Sequence, residues 1–200
     1  MRSFFLFLFI PFLLFSAYEP SSELVEEMLQ KRIDYEKNPT SNKSCFDLAM
    51  VYAYTGAMEE GFAILKKVDP DYAQQVLLES QQALEKNSEL WRPYFRQAFA
   101  YYFLERSDDA VASFKKVIKN DEGNVWAMLF IAFIRGEQGD LDEALKWTKR
   151  ANKIEPDAAA GHFMLGEIYR RKHRYILATS HFIKCMHFRT LERNFRANLK

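Results

Sequence analysis

A 34-residue period constrains the fold of this chain more than any other feature of its sequence. Across the second half of the chain, residues 34 positions apart are mostly of similar size or character. The related sets are Ala98, Ala132 and Gly166; Ala110, Ala144 and Ala178; Phe114, Thr148 and Phe182; Val117, Ala151 and Cys185; and Tyr101 and Tyr169. Three windows, 91–124, 125–158 and 159–192, therefore follow one another in a single frame without an insertion.

Each window divides into two amphipathic segments with apolar residues at three- and four-residue steps, which predicts two helices per window. Short polar turns such as Gln138-Gly139-Asp140 separate them. The first helices are expected near 91–105, 125–138 and 159–172, and the second near 108–120, 141–154 and 175–189. Small residues recur where two helices of a hairpin cross closely, and bulky residues recur where the next hairpin must be filled. With only 7 Gly and 6 Pro among 200 residues, the composition also favours an all-α fold.

The repeat carries a recognisable pattern of residues. In window 159–192 these are Leu165, Gly166, Tyr169, Tyr175, Ala178 and Phe182; in window 125–158 they are Ile131, Ala132, Gly139, Ala144, Ala151 and Pro156. On these residues the chain resembles a tetratricopeptide-repeat protein. An upstream window at 42–75 fits the same pattern through Leu48, Ala49, Tyr52, Gly56, Gly61, Leu65 and Val68. The resemblance implies an all-α superhelix of antiparallel helix hairpins that binds other proteins.

An inserted segment, residues 76–90, separates the first window from the other three. Asp69-Pro70 is a good helix start, with Asp as the cap and Pro at the first helical position. A helix over 71–86 is therefore expected. Either the array kinks at this point, or residues 58–86 form one long helix that is broken at Pro70.

Two further segments flank the array. Residues 18–41 are expected to contain an N-terminal capping helix near 22–36. Residues 193–200 form a basic C-terminal end, and a short C-terminal cap is expected at 190–200.

The first 17 residues have the pattern of a targeting segment. Arg2 precedes an uncharged apolar run from Phe4 to Phe15, and twelve helical residues span only about 18 Å of a bilayer core of about 30 Å. This length is typical of a cleaved secretory signal. We therefore expect export to the periplasm or the extracellular space; a membrane tether formed by an uncleaved segment is the alternative.

Motifs for catalysis and for metal or cofactor binding are absent from the sequence. It contains no GxSxG, GxxxxGK[ST], GxGxxG, HExxH or CxxC motif, so we expect neither an enzyme nor a bound cofactor. Cys45 and Cys185 fall at opposite ends of the array and should be separate buried thiols, because a disulfide requires Cα atoms within about 7 Å. His181 and Cys185 lie four apart on one helix, but without a clear third ligand they predict no metal site.

The resemblance implies a concave face lined by residues of the first helices. At the family's groove positions this chain carries Phe46, Met50, Phe95, Phe99, Tyr102, Trp126, Leu129, Phe133 and Phe163. An aromatic groove of this kind suits an amphipathic helix or an extended apolar peptide, since each Å² of apolar surface covered contributes about 25 cal/mol. The alternatives are that the N-terminal helix or the 71–86 helix fills part of the groove, or that a second copy of the chain does.

Charge is segregated along the chain. Residues 170–200 contain nine Lys or Arg and one Glu, whereas residues 18–169 contain eighteen Lys or Arg and twenty-six Asp or Glu. The basic patch of the C-terminal region comprises Arg170, Arg171, Lys172, Arg174, Arg189, Arg193, Arg196 and Lys200. It is suited to anionic lipid headgroups, envelope polymers or an acidic partner. The alternatives are a solvated end cap and head-to-tail attraction to the acidic body; export argues against nucleic acid.

Together these features predict a non-enzymatic interaction scaffold or adaptor. It would bind a segment of a partner protein through the aromatic groove, in the cell envelope. One alternative is a self-associating structural protein, such as a homodimer, with the groove filled by the chain's own helix or by its twin. Another is a membrane-associated scaffold held by an uncleaved N-terminus or by the basic C-terminal end.

Overall fold

The computed structural model describes residues 18–199. In that range the chain forms ten α-helices and no strand, so the predicted all-α fold is confirmed. The helices are α1 (Ser22–Lys37), α2 (Asn42–Tyr54), α3 (Met58–Leu65), α4 (Tyr72–Lys86), α5 (Trp91–Phe103), α6 (Ser107–Asn120), α7 (Val125–Glu137), α8 (Leu141–Ile154), α9 (Ala159–Arg171) and α10 (Tyr175–Ala197).

The predicted targeting segment, residues 1–17, lies outside the described residues, so export and tethering remain predictions. None of the helices between residues 18 and 199 has both the length and the apolar character that crossing a bilayer requires.

The predicted hairpins of the three downstream windows are present. Helices α5 and α6, α7 and α8, and α9 and α10 pack in antiparallel pairs along the array. Their bounds agree with the expected segments within two residues, except that α10 continues to Ala197. No Gly or Pro interrupts residues 190–197, so the second helix of the last window extends through the region where a short C-terminal cap was expected.

Close helix crossings hold each hairpin together. Ala110, Ala144 and Ala178 are all buried at equivalent positions of the second helices. In the last window the crossing is tighter, because a Cβ added at Gly166 would lie 2.7 Å from the ring of Phe182. The small residue of the 34-residue period is therefore a steric requirement of the hairpin.

The inserted segment forms a helix of its own. Helix α3 ends at Leu65 and α4 begins at Tyr72, and α4 packs against α5. The six residues between them form a turn in which the Asp69 carboxylate accepts a hydrogen bond from the Asp71 amide at 3.0 Å. Residues 58–86 therefore form two separate helices rather than one long helix broken at Pro70.

An aromatic cluster forms the centre of the core where α5, α6 and α7 meet. The rings of Phe114 and Phe130 stack with centroids 5.5 Å apart. Phe95 and Phe99 contact both rings edge-on, with centroid separations of 4.7–5.8 Å. Such aromatic pairs contribute about 0.5–1.5 kcal/mol beyond the area they bury. This cluster provides a rigid wall for the concave side of the array.

The crossing at Gly166 generates a testable prediction. Gly166→Ala should lower the free energy of unfolding by about 1–3 kcal/mol, because the added methyl group meets the Phe182 ring. Gly136→Ala is the matched control: it lies on α7, where the nearest atoms are 3.8 and 4.0 Å from an added Cβ. This control should stabilise the protein by up to about 1 kcal/mol, as alanine does in an unobstructed helix. Denaturant unfolding checks both; stabilisation of the protein by Gly166→Ala would contradict the close crossing.

Candidate partner-binding site

The N-terminal helices fold over the concave side of the array. Gly56, in the turn between α2 and α3, has a φ of +81°, and a Cβ there would lie 2.8 Å from the Trp126 ring on α7. Trp126 Nε1 donates a hydrogen bond to the Tyr18 hydroxyl at 3.2 Å, and the two rings meet edge-on. Only glycine combines this backbone conformation with such a close approach. The chain therefore covers the middle of its own groove.

Nine residues were predicted to line an open groove, and most of them are buried in the structure. Six of them are at most 4% exposed: Phe46, Met50, Phe95, Phe99, Trp126 and Leu129. Tyr102 and Phe133 are partly buried, and Phe163 is 51% exposed. An open groove along all nine is therefore wrong. Trp126 is covered by Tyr18, and Phe46 packs against Tyr72 at the start of α4 with centroids 6.0 Å apart, so part of the groove is filled by the chain itself.

A cavity of about 290 Å³ remains between α3, α7, α9 and α10. Three of the predicted groove residues line it: Leu129, Phe133 and Phe163. The remaining apolar lining residues were not among the predicted groove residues; they are Gly56, Met58, Phe62, Phe130, Ala159, Ala160, Met164 and Cys185. The wall is mainly apolar and mostly contributed by neighbouring helices of the last two hairpins.

The contribution of α3 is the least expected part of the wall. Met58 and Phe62 lie four residues apart and so share one face of α3, and both line the cavity. Phe62 is 41% exposed. The resemblance assigned groove positions to first helices only, whereas α3 is the second helix of its window. It reaches the cavity because the turn at Gly56 lies on α7.

Ion pairs connect α3 to α10 at the edge of the cavity. We call the five residues that form them the clasp: Glu59, Glu60, Arg189, Arg193 and Arg196. Glu59 pairs with Arg189 and also with Arg193, the latter at 3.1 Å, while Glu60 pairs with Arg196 at 3.5 Å. All except Arg196 are substantially exposed, so each pair contributes at most about 1 kcal/mol and is weakened by salt. The clasp holds two distant parts of the chain together by exposed charge.

A buried carboxylate lies beneath the clasp. Glu192 is 4% exposed, and its side chain accepts a hydrogen bond from the Ala159 amide at 2.9 Å. Burial raises the pKa of Glu192 to about 6, against the opposing effects of the Ala159 amide and the Arg196 guanidinium. The ionised form at neutral pH is therefore less stable than an exposed carboxylate would be.

The predicted basic patch is divided by the fold. Arg189, Arg193 and Arg196 belong to the clasp. Three others are bound near the turn between α9 and α10: Arg170 to Glu167, Arg171 to the Gly136 carbonyl and Lys172 to Asp142. Arg174 is exposed and makes no ion pair among the described residues. Lys200 lies outside the described range. The predicted basic residues are therefore distributed among the clasp, the region of the α9–α10 turn and the exposed Arg174.

Residues 18–199 contain no group of three or more His, Cys, Asp or Glu arranged to hold a metal ion. The two thiols are separate and buried, as predicted. His181 Nδ1 lies 3.1 Å from Nδ1 of His162, and burial is the main reason that the pKa of each imidazole is lowered. These histidines form a packing contact between α9 and α10.

Comparison with known proteins agrees with this architecture. The Tetratricopeptide repeat family model matches residues 104–168. The structure described as "Crystal structure of MamA" has 14% sequence identity and a TM-score of 0.52, covering 84% of this chain and 89% of that one. "MamA 41-end from Desulfovibrio magneticus RS-1" has 14% identity and a TM-score of 0.50, with 86% and 88% covered. No curated protein matches the sequence.

The resemblance inferred from the repeat pattern is thus confirmed: residues 104–168 match the Tetratricopeptide repeat family model, and the described residues have the predicted all-α superhelical fold. The matched repeat supports a protein-interaction scaffold. At 14% identity the solved structures establish the fold and nothing more specific about this chain.

The buried carboxylate generates a second prediction. Glu192→Gln keeps an oxygen for the Ala159 amide but removes the charge, so it should stabilise the protein by about 1–2 kcal/mol at pH 7.5. Because the folded-state pKa of about 6 lies above the ordinary value of 4.5, the folded state binds the proton more tightly. The penalty on the natural protein therefore grows as pH rises from about 4.5 to about 6 and then stays constant.

Thermal unfolding of both proteins between pH 4 and 8 measures this difference. Glu122→Gln, which removes an exposed carboxylate, is the control and should show no comparable gain. A stability difference between Glu192→Gln and the natural protein that does not vary with pH would contradict the assignment.

Proposed function

We propose that this tetratricopeptide-repeat protein is a scaffold that holds a short apolar segment of a partner protein in the cavity between α3, α7, α9 and α10. The observation that supports this proposal is the cavity itself, with about 290 Å³ of space and a predominantly apolar wall. Phe62 and Phe163 line it while remaining substantially exposed. Exposed aromatic side chains around an apolar cavity are typical of a binding site.

The size of the cavity limits what it can hold. Pockets for drug-sized ligands span about 300–1,000 Å³, so this cavity is suited to one or two bulky side chains. Each buried Leu, Phe or Met side chain contributes about 1.5–3 kcal/mol. An amphipathic partner helix with apolar anchors three or four residues apart meets these requirements.

The edge of the cavity adds a polar contribution. Glu59, Glu60, Arg189 and Arg196 line it beside the apolar wall, so both signs of charge are within reach of a bound segment. Such charges select the orientation of a partner more than they add affinity. We therefore place the apolar anchors of the partner in the cavity and its polar face toward the clasp.

The proposed setting is the cell envelope. Its support is the signal-like segment at residues 1–17, with one Arg followed by an uncharged run of twelve residues. Mass determination on the protein from its native source tests this point, since export predicts removal of a segment of about this length.

A binding experiment tests the cavity directly. Helical peptides are selected from a displayed random library against the full chain, and their dissociation constants are measured by calorimetry. Phe163→Ala and Phe133→Ala should each weaken binding by about tenfold or more, because each removes an aromatic wall of the cavity. Leu78→Ala is the matched control, since this leucine on α4 is 57% exposed and does not line the cavity.

Thermal unfolding confirms that each variant remains folded. Peptides that bind both cavity variants as tightly as the natural protein would contradict the proposal. Selection of peptides whose binding is lost only on Leu78→Ala would place the binding surface on α4 instead.

A further inference from the structure

The outward face of α10 differs from those of the helices that precede it in the array. Ile176, Ser180, Ile183 and His187 follow one another at four- and three-residue steps and form one line along the helix. All four are exposed, with Ile176 at 88% and Ile183 at 63%. Met186 extends the apolar area beside this line and is 71% exposed.

The 34-residue period shows that these apolar residues are specific to the last repeat. The positions equivalent to Ile176 are Asp108 in α6 and Asp142 in α8. The positions equivalent to Ile183 are both lysines, Lys115 and Lys149. Exposed charges in α6 and α8 are therefore replaced by isoleucines in α10. Contiguous exposed apolar side chains typically mark an interaction surface, so this face is expected to be covered.

The charge around this face is of one sign. Residues 171–191 contain no Asp or Glu. Arg174 precedes the helix, Lys184 lies beside Ile183, and both are exposed. Neither makes an ion pair with any residue between 18 and 199, in contrast to the arginines of the clasp. The exposed isoleucines are thus accompanied by cations that form no ion pair within the described residues.

We infer that the outward face of α10 docks on the surface of a membrane that contains anionic lipids. Its inner face is packed against α9, so the helix would lie in the plane of the interface. The protruding isoleucines and Met186 enter the boundary between headgroups and acyl chains, and Arg174 and Lys184 contact the anionic headgroups. Apolar insertion and charge attraction together are what interfacial helices use to bind.

A symmetric dimer formed through this face fits it less well. Pairing two such faces symmetrically would bring their cations together without an acidic residue from 171–191 to neutralise them. Like charges in an interface oppose association. The charge around the face therefore favours an anionic surface over a symmetric dimer.

This inference is independent of the proposed cavity. Cys185, Arg189 and Glu192 line the cavity, and they lie on the opposite side of α10 from Ile176 and Ile183. A chain docked through the outward face therefore keeps its cavity available. Failure of one proposal leaves the other standing.

Vesicle co-sedimentation of the full chain tests the inference, with phosphatidylglycerol mixed into phosphatidylcholine compared with phosphatidylcholine alone. Every variant retains residues 1–17, so any lipid affinity of that segment is the same in all of them. Two double variants alter the face: Ile176→Ser with Ile183→Ser, and Arg174→Glu with Lys184→Glu. The matched control, Lys146→Glu with Lys149→Glu, makes the same charge change on exposed positions of α8.

The inference predicts tighter binding to the anionic vesicles, and weaker binding at high salt. Both face variants should lose about tenfold or more in affinity for the anionic vesicles, while the α8 control keeps most of its binding. Face variants that bind like the α8 control would overturn the inference, as would equal binding to both kinds of vesicle.

Light scattering of the same proteins tests whether a second copy of the chain covers the face instead. An oligomer that the face variants dissociate, without any preference for anionic lipid, would assign the face to a second copy and also overturn the inference.

Discussion

The contact between the α2–α3 turn and Trp126 determines which part of the concave side is available to a partner. Gly56 allows the turn to approach the indole ring, and the Tyr18 hydroxyl accepts a hydrogen bond from the indole Nε1. Because the turn is fixed there, α3 lies across the concave side and Met58 and Phe62 become part of a wall. With the turn in this place, an apolar cavity lies on the concave side near the C-terminal hairpin.

The sequence predicted the helices well and the site poorly, for physical reasons. Helix bounds depend on local periodicity, and the 34-residue frame places α5 to α9 within two residues of their observed ends. The site depends on contacts between distant segments: Trp126 and Tyr18 are 108 residues apart, and Arg189 and Glu59 are 130 apart. A periodic pattern in the sequence does not show which segment of the chain packs over which other segment. Phe133 and Phe163 were identified because their own helices set their direction, whereas Phe62 was missed because a distant contact places it.

Charge segregation along the chain has two different structural consequences. In the clasp, Arg189, Arg193 and Arg196 meet Glu59 and Glu60, so attraction between the acidic body and the basic end occurs within one molecule. At the start and outer face of α10, other cations remain exposed beside apolar side chains. One basic region thus contributes both to closing the array and to a free surface. The close crossing at Gly166 fixes α9 against α10 and so keeps the cavity wall and the outward face on opposite sides of the last hairpin.

The most direct measurement is the NMR spectrum of the full chain with ¹³C-labelled methionine methyl groups, recorded during titration with a selected helical peptide. Met58 and Met164 line the cavity, Met28 is buried elsewhere, and Met186 lies on the outward face of α10. If the cavity is the partner site, the Met58 and Met164 signals shift together while those of Met28 and Met186 stay unchanged. Saturable binding that shifts Met186 or Met28 and leaves Met58 and Met164 unmoved would contradict it.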